Sequence, residues 1–326
     1  MNGRRVVVTG GCGFFGSYLV PALVRTGARV IVVDNLTSGD VGAIAPVRGQ
    51  IEFVEADVRD RAVCEAVLRD CDVLVNLAAT AAGVGFSRTH HGQMLIDNVL
   101  CGLVPLQAAQ RLGVPHVVDV SSSCVYADDA PVPTPELDPV AGQPEAVNEG
   151  YGWAKRVHEL ACGYLASEDR MRITVLRPFN LYGGHYPWRS SERAHVIPSL
   201  VKRTLDGEDP LVVWGSGKQR RTFLHGSDAA ELAVRVIEGG AEGAVNLGYE
   251  DDVPIADLVE LILDVTDRRP RVVFDTTWPD GHPRKSADAT RLRMLTSGYV
   301  PRVTLRAGIE EMVEWYHRSF PAAQDS

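Results

Sequence analysis

At 326 residues the chain suits one large domain or two unequal ones, with ample apolar content for a packed core. A formal net charge of −9 argues against a surface built to coat nucleic acid, although a polyanionic small ligand still calls for a local group of Arg and Lys. No stretch approaches the ~18 apolar residues of a membrane helix, so no membrane contact is expected. Met1–Arg5 runs straight into a short strand rather than a leader. Six cysteines (12, 64, 71, 101, 124, 162) contain no Cys-x-x-Cys pair. Neither a metal site nor a disulfide framework is therefore expected, and the setting is reducing cytoplasm.

In chain order, Arg5–Thr9 is a β-branched run that ends in glycines, and residues 16–26 read as a helix. A second apolar run, Val30–Val33, ends in Asp34. Strand-like runs follow at Ile51–Glu55, Val73–Leu77, Val117–Val120 and Ile173–Leu176, with helical stretches between most of them. This alternation predicts an α/β fold, a Rossmann-type doubly wound parallel sheet covered on both faces. Residues 127–148, rich in Pro, Asp and Glu, are expected to form a surface loop. After about residue 180 the alternation weakens. Residues 1–180 with about 223–249 are expected to form the dinucleotide-binding domain, and 181–222 with 250–326 a smaller C-terminal substrate-binding lobe. Ligands then bind in the crevice at the carboxyl ends of the strands.

Gly10, Gly13 and Gly16 stand three apart, directly after the first strand and at the start of a helix. Glycine lets the backbone turn sharply and approach a pyrophosphate, which the helix N-terminus then stabilises. Asp34 follows at the spacing of the dinucleotide fingerprint and can accept hydrogen bonds from both adenosine ribose hydroxyls. Its charge repels a 2′-phosphate, so NAD is expected rather than NADP. Asp57-Val58, after the third strand, either contacts adenine or makes a turn. Leu77-Ala78-Ala79 offers small residues where the chain passes close to the cofactor.

Tyr151 and Lys155 lie one helical turn apart, so both side chains face the same way. An ammonium and a positive nicotinamide can stabilise tyrosinate and lower the phenol's pKa. Tyr151 is then able to accept a hydroxyl proton as hydride leaves the same carbon, with Ser122 bonding that oxygen. Two residues after Ser122 comes Cys124, and His195 opens the later stretch His195-Val196-Ile197-Pro198. A thiol and an imidazole can move carbon-bound protons while a transient ketone exists, whereas the bland readings are a buried small hydrophobe and a capping or surface residue.

With these segments in view, the chain resembles the extended short-chain dehydrogenase/reductases that act on nucleotide sugars. The resemblance rests on Thr9–Gly16, Asp34–Gly39, Asn76–Ala79, Asp97-Asn98-Val99, Arg177–Gly183 and Arg221–His225, and covers nearly the full length. It implies that Phe14, Phe15, Asn35, Asn98 and Pro178 join the cofactor site, and that the protein is a homodimer through a helix pair including the Tyr151 helix. The family's sugar 4,6-dehydratases carry Asp-Glu where this chain has Ser123-Cys124, which disfavours dehydration. Ser122–Tyr126 instead is similar to the GDP-L-fucose synthase and GDP-mannose 3,5-epimerase branches, in which the cysteine takes part in proton exchange at C3 and C5. His195–Pro198, Val212–Gly217 and Pro279–Lys285 resemble the synthase; Asn76–Phe86 is closer to the epimerase.

Fucose synthases consume NADPH, which Asp34 disfavours. The expectation is therefore a redox-neutral NAD-dependent 3,5-epimerase of a GDP-hexose such as GDP-mannose, working through a transient 4-ketone. Cys124 and His195 would act from opposite faces, with acid and base unassigned. The alternatives are a 3,5-epimerase/4-reductase on a 4-keto-6-deoxy sugar, then a simple 4-epimerase, and, in a different class, a non-catalytic NAD-sensing protein. For substrate binding, Asn180 fixes the sugar or the backbone beside it. Arg203, Arg221 and Arg284 are candidates for the diphosphate, since guanidinium matches phosphate geometry. Trp214 either stacks on base or sugar or packs in the core.

Overall fold

The computed structural model describes residues 1–169, 171–188, 194–278 and 280–321. In chain order the first half runs β1 (Arg5–Thr9), α1 (Phe14–Arg25), β2 (Arg29–Asp34), β3 (Glu52–Glu55), α2 (Arg61–Val67), β4 (Val73–Asn76), α3 (Val84–Ser87), α4 (His91–Leu112), β5 (His116–Val120), α5 (Glu149–Glu168) and β6 (Arg172–Pro178). The second half holds β7 (Leu181–Tyr182), α6 (Val196–Leu205), β8 (Leu211–Trp214), β9 (Arg220–Thr222), β10 (Leu224–His225), α7 (Gly226–Glu238), β11 (Gly243–Leu247), β12 (Asp252–Pro254), α8 (Ile255–Thr266), β13 (Val272–Asp275), β14 (Arg284–Lys285), α9 (Thr290–Leu295) and α10 (Leu305–Ser319).

Seven strands form one sheet in the order β11-β6-β5-β4-β1-β2-β3, and every pairing in it is parallel. The strands are apolar at successive positions because both faces are covered. Val6, Val8, Val30, Val32, Val73 and Val75 pack on one face with α1 and α7. Val7, Ile31, Leu74, Val117, Ile173 and Val175 pack on the other with α2, α4 and α5. Each fully buried side chain of this kind contributes roughly 1.5–3 kcal/mol relative to exposure, so an alternating polar strand could not hold these positions. Strand order reverses between β1 and β4, and the crevice at their carboxyl ends is the ligand position of open α/β sheets.

Beyond β6 a further apolar core joins Tyr182, α6, β8, α8 and α10, including Ile197, Val201, Leu211, Val213, Leu258, Ile262 and Met312. Smaller sheets, β13/β8 and β12-β9-β14, flank it. No helix among the described residues is long and apolar enough to cross a membrane.

Two local expectations are corrected. Helix α1 starts at Phe14 rather than 16, because its N-cap is Gly13, which makes no side-chain cap and leaves no polar start signal. The 127–148 segment is not simply a surface loop. Thr134 N–H donates to Ser286 O at 2.9 Å, and Asp288 N–H donates to Thr134 O at 2.9 Å. The buried Arg156 guanidinium donates to the carbonyls of Ala141 (3.0 Å), Gly142 (2.6 Å) and Val125 (2.8 and 2.6 Å). Those bonds fix Ala141 and Gly142 against α5.

Candidate active site

At the end of β1 the backbone makes the tight turn that the glycines promised. Gly10 has φ +65°, and a Cβ there would stand 2.8 Å from the backbone of Ala78. At Gly16 a Cβ would stand 2.3 Å from Gly11 O, so the helix can follow the strand only without side chains. The N-terminus of α1 carries no side-chain cap and no acidic residue in its first turn, which leaves its N–H groups for an anion. Asp34 is buried; Oδ2 accepts from Cys12 N at 2.9 Å and Oδ1 from Leu36 N at 2.8 Å. Each oxygen keeps acceptor capacity for a ribose hydroxyl, and burial raises the carboxyl's pKa above its ordinary value. These residues fit a dinucleotide.

Around this cradle some expectations shift. Asp57 is held by Arg59 and by Asn35 Nδ2 at 3.0 Å, and those bonds push its pKa below the usual carboxylate range. Val58 is buried beside it. Asn98 is fully buried, with Nδ2 donating to Thr80 O (3.1 Å) and Met94 O (2.7 Å) and Oδ1 accepting from Thr80 N (2.9 Å). Its amide thereby holds Thr80, the residue that follows Leu77–Ala79. Phe14 packs edge-on to Tyr18 at 5.6 Å, while Phe15 is packed against the core on the α1 side. Pro178 ends β6 opposite Leu247.

The reactive groups gather at the end of β5 and the start of α5. Ser122 caps a short 3-10 turn, Ser123–Val125, and accepts from Cys124 N at 3.1 Å. Lys155 is buried on the same face of α5 as Tyr151; its Nζ donates to Val120 O at 2.7 Å and lies 5.7 Å from the Tyr151 ring centroid. In the chain by itself the expected lowering of the Tyr151 pKa is absent. Burial raises it, with Cys124 and Asp119 adding to the effect. Lys155 is lowered by burial, against the pull of Asp119. Burial also pushes Asp119 up, but His158 and Lys155 more than offset this and leave it at about 2. Behind the serines, the buried Glu159 accepts from Ser121 Oγ (2.5 Å) and from Arg177, which also donates to Leu137 O at 2.8 Å.

Cys124 has neighbours that sequence reasoning missed. Its thiol lies in the field of Glu145, whose Oε2 accepts from Lys285 Nζ at 3.1 Å and Asn148 Nδ2 at 2.8 Å. Burial raises the Cys124 thiol to about 11, with Glu145 adding and Lys285 opposing. Burial likewise pushes Glu145 up, but Lys285 and its hydrogen bonds outweigh that and bring it to about 2. Strand register explains the arrangement. In the parallel pair β14/β9, Lys285 stands opposite Arg221 and Arg284 opposite Arg220. Side chains alternate between faces, so Lys285 and Arg221 turn toward Glu145 while Arg220 and Arg284 both bond Asp252. Arg284, expected at the diphosphate, bonds Asp252 and also lines the cavity beside Ser123, Glu145 and Lys285. The signal was present in the adjacent Lys285, one residue along in the segment already singled out.

The remaining expectations divide. Arg221 stays near the cluster, its Nη1 donating to His282 O at 2.7 Å. Arg203, a second diphosphate candidate, instead bonds Glu208 at 2.7 Å and Val212 O at 2.7 Å. Asn180 has φ +41° and donates to Thr222 O at 2.9 Å, which is the backbone-fixing role. Trp214 is not core: it is 43% exposed and stacks on Trp278 at 4.3 Å, with Arg88 over the Trp278 ring at 4.4 Å. His195 is the N-cap of α6, its N–H donating to Tyr186 Oη at 3.2 Å. Solvent reaches its ring, yet enough protein surrounds it that desolvation lowers the imidazole pKa. No contact joins it to Cys124 among the described residues. Pro279, part of the segment compared above, lies outside the described residues.

Comparison with known proteins gives the family and the fold. Residues 6–248 match the model of the NAD dependent epimerase/dehydratase family. Over 97% of its length the chain is 29% identical to the GDP-L-fucose synthase of Escherichia coli, 97% of which is covered. It is also 29% identical to the UDP-N-acetyl-alpha-D-glucosaminuronate decarboxylase of Bacillus cytotoxicus, covering 96% of the chain and 98% of that protein. Among solved structures, the UDP-glucose 4-epimerase of Thermotoga maritima with UDP-glucose superposes at a TM-score of 0.85. It is 27% identical, with 97% of this chain and 99% of that one covered.

Proposed function

The chain belongs to the NAD dependent epimerase/dehydratase family, with NAD as its cofactor, and we propose that within it the protein is a redox-neutral 3,5-epimerase of a GDP-hexose such as GDP-mannose. The observation that carries this reading is a thiol, Cys124, in the same wall as Ser122, Tyr151 and Lys155, where a simple 4-epimerase needs none. When bound, NAD supplies the acceptor and donor for the hydrogen on C4. Tyr151 takes the O4 proton, Ser122 bonds that oxygen, and Lys155 stabilises the tyrosinate. The 4-ketone so formed acidifies the hydrogens on C3 and C5, because either carbanion becomes an enolate. Cys124 and His195 remove and return those protons from opposite faces. Arg221 meets the diphosphate, and Trp214 is exposed where a base or sugar can stack.

The likeness to a GDP-L-fucose synthase supports a second reading, 3,5-epimerisation followed by 4-reduction. Asp34 weighs against it, because a buried carboxylate at the ribose repels the extra phosphate of NADP. A homodimer in the cytoplasm belongs to the same proposal. Exposed Ile96 and Leu100 on α4 and Tyr164 on α5 support the dimer, which sedimentation velocity tests.

Incubation with GDP-mannose in D₂O without added cofactor tests the activity. Deuterium at C3 and C5, read by NMR together with new epimers, is the expected result. Cys124→Ser and His195→Asn should each slow exchange by about 10²–10⁴ while retaining NAD. Exchange that stays at wild-type rate in both variants rejects the two proton-transfer roles. Turnover only with added NADPH and a 4-keto-6-deoxy sugar selects the second reading.

A further inference from the structure

The Glu145–Lys285 pair lies outside the hydride-transfer set, yet it is built around the thiol. Both side chains are largely buried, 12% and 13% exposed, where an ion pair needs a specific reason to be. Glycine makes the approach possible. A Cβ at Gly152 on α5 would stand 2.7 Å from Pro144 Cβ and 2.8 Å from Cys124 O, so only glycine lets the 144–145 segment close on the cysteine. Asn148 and Lys285 then occupy Glu145 Oε2 and fix the carboxylate.

We propose that Glu145 is a positioning residue for Cys124: its carboxylate, anchored by Lys285 and Asn148, accepts the thiol's hydrogen bond and so sets the sulfur's direction and holds its proton. The assignment rests on the reading of Cys124 as a proton-transfer group. The groups facing the thiol are Ser122 on its own segment, Glu145 before α5, Tyr151 on α5 and Lys285 on β14. Arg221 on β9 acts on Glu145 from the same side. Glu145 is thus the anion that offsets two cations. Without its charge the cations favour thiolate; without Lys285 the carboxylate favours thiol.

Two variants of opposite sign test this. The NAD-bound protein is treated with iodoacetamide near neutral pH, and alkylation of each cysteine peptide is timed by mass spectrometry. Cys124→Ser identifies the peptide. A fall of one unit in thiol pKa multiplies thiolate about tenfold and costs about threefold in nucleophilicity, for a net gain of about threefold. Glu145→Gln should accelerate Cys124 by at least about threefold, and Lys285→Met should slow it by a similar factor. The buried Cys64 and Cys162 serve as internal references and should not change. Rates that move in the same direction in both variants, or in neither, overturn the proposal, as does acceleration of Cys64 and Cys162 alongside, which reports an opened fold. Because no sugar is present, this result is independent of the exchange experiment. A Cys124→Ser protein with undiminished exchange would remove the proton-transfer reading while leaving the coupling to Glu145 measurable.

Discussion

At the proposed cofactor end of the cleft the groups on offer are main-chain N–H groups and one carboxylate, Asp34. At the proposed sugar end they are side chains drawn from residues 122–124, 145–155, 195, 221 and 285, most of them set among buried charges. The first end is a shape made by leaving atoms out, and it fails when atoms are added. The second is a balance of charge across segments distant in sequence, and it fails when a partner is removed. That contrast also explains where variation of chemistry can arise: the backbone cradle serves any dinucleotide reaction, while one changed side chain at the far end alters the proton traffic.

The sharpest attempt to break this contrast is Glu159→Gln, which leaves the buried Arg177 unpaired behind the serine segment. Chemical denaturation should show a loss of about 3–5 kcal/mol, and a loss under about 1 kcal/mol would mean that the sugar end does not depend on paired charge. Adding a single methyl at the other end, Gly10→Ala, should cost about 2 kcal/mol, since the left-handed backbone and the Ala78 contact both oppose a Cβ. NAD content should fall with it; full retention of NAD would show that the cradle tolerates side chains. Smallest of all is Arg203→Ala. Its pair with Glu208 is part-exposed, so stability should drop by no more than about 1 kcal/mol and KM for the sugar should stay unchanged. A raised KM would return Arg203 to the diphosphate.

The same contrast governs what could be read from sequence. Apolar runs such as Val6–Val8 and Leu74–Val75 announced a sheet buried on both faces, and the glycine spacing announced the cradle, because both signals are local. The start of α1 was set two residues late, since glycine at an N-cap carries no polar mark. Lys285 has no mark in the chain that sets it apart from the adjacent Arg284; the register of β14 against β9 is what turns it toward Glu145. Glu145 was passed over for a like reason. Within an acidic, proline-rich segment it looked solvated, and only the Gly152 gap and the Arg156 bonds bring that segment down on Cys124. Ser122, Tyr151 and Lys155 were legible from spacing on one helix and one strand end.

Tyr18 carries a consequence for the order of events during folding. It sits on α1, the helix whose N-terminus faces the cofactor, and its hydroxyl donates to Glu311 Oε1 at 2.7 Å on α10, 293 residues later. His185 stacks between Tyr18 and Trp315 of α10 at 5.4 and 4.6 Å. The helix that follows the glycine turn is therefore braced by an element far away in the chain. Contacts this distant in sequence close a long loop and so form late in folding, which makes the setting of α1 dependent on the far end of the fold.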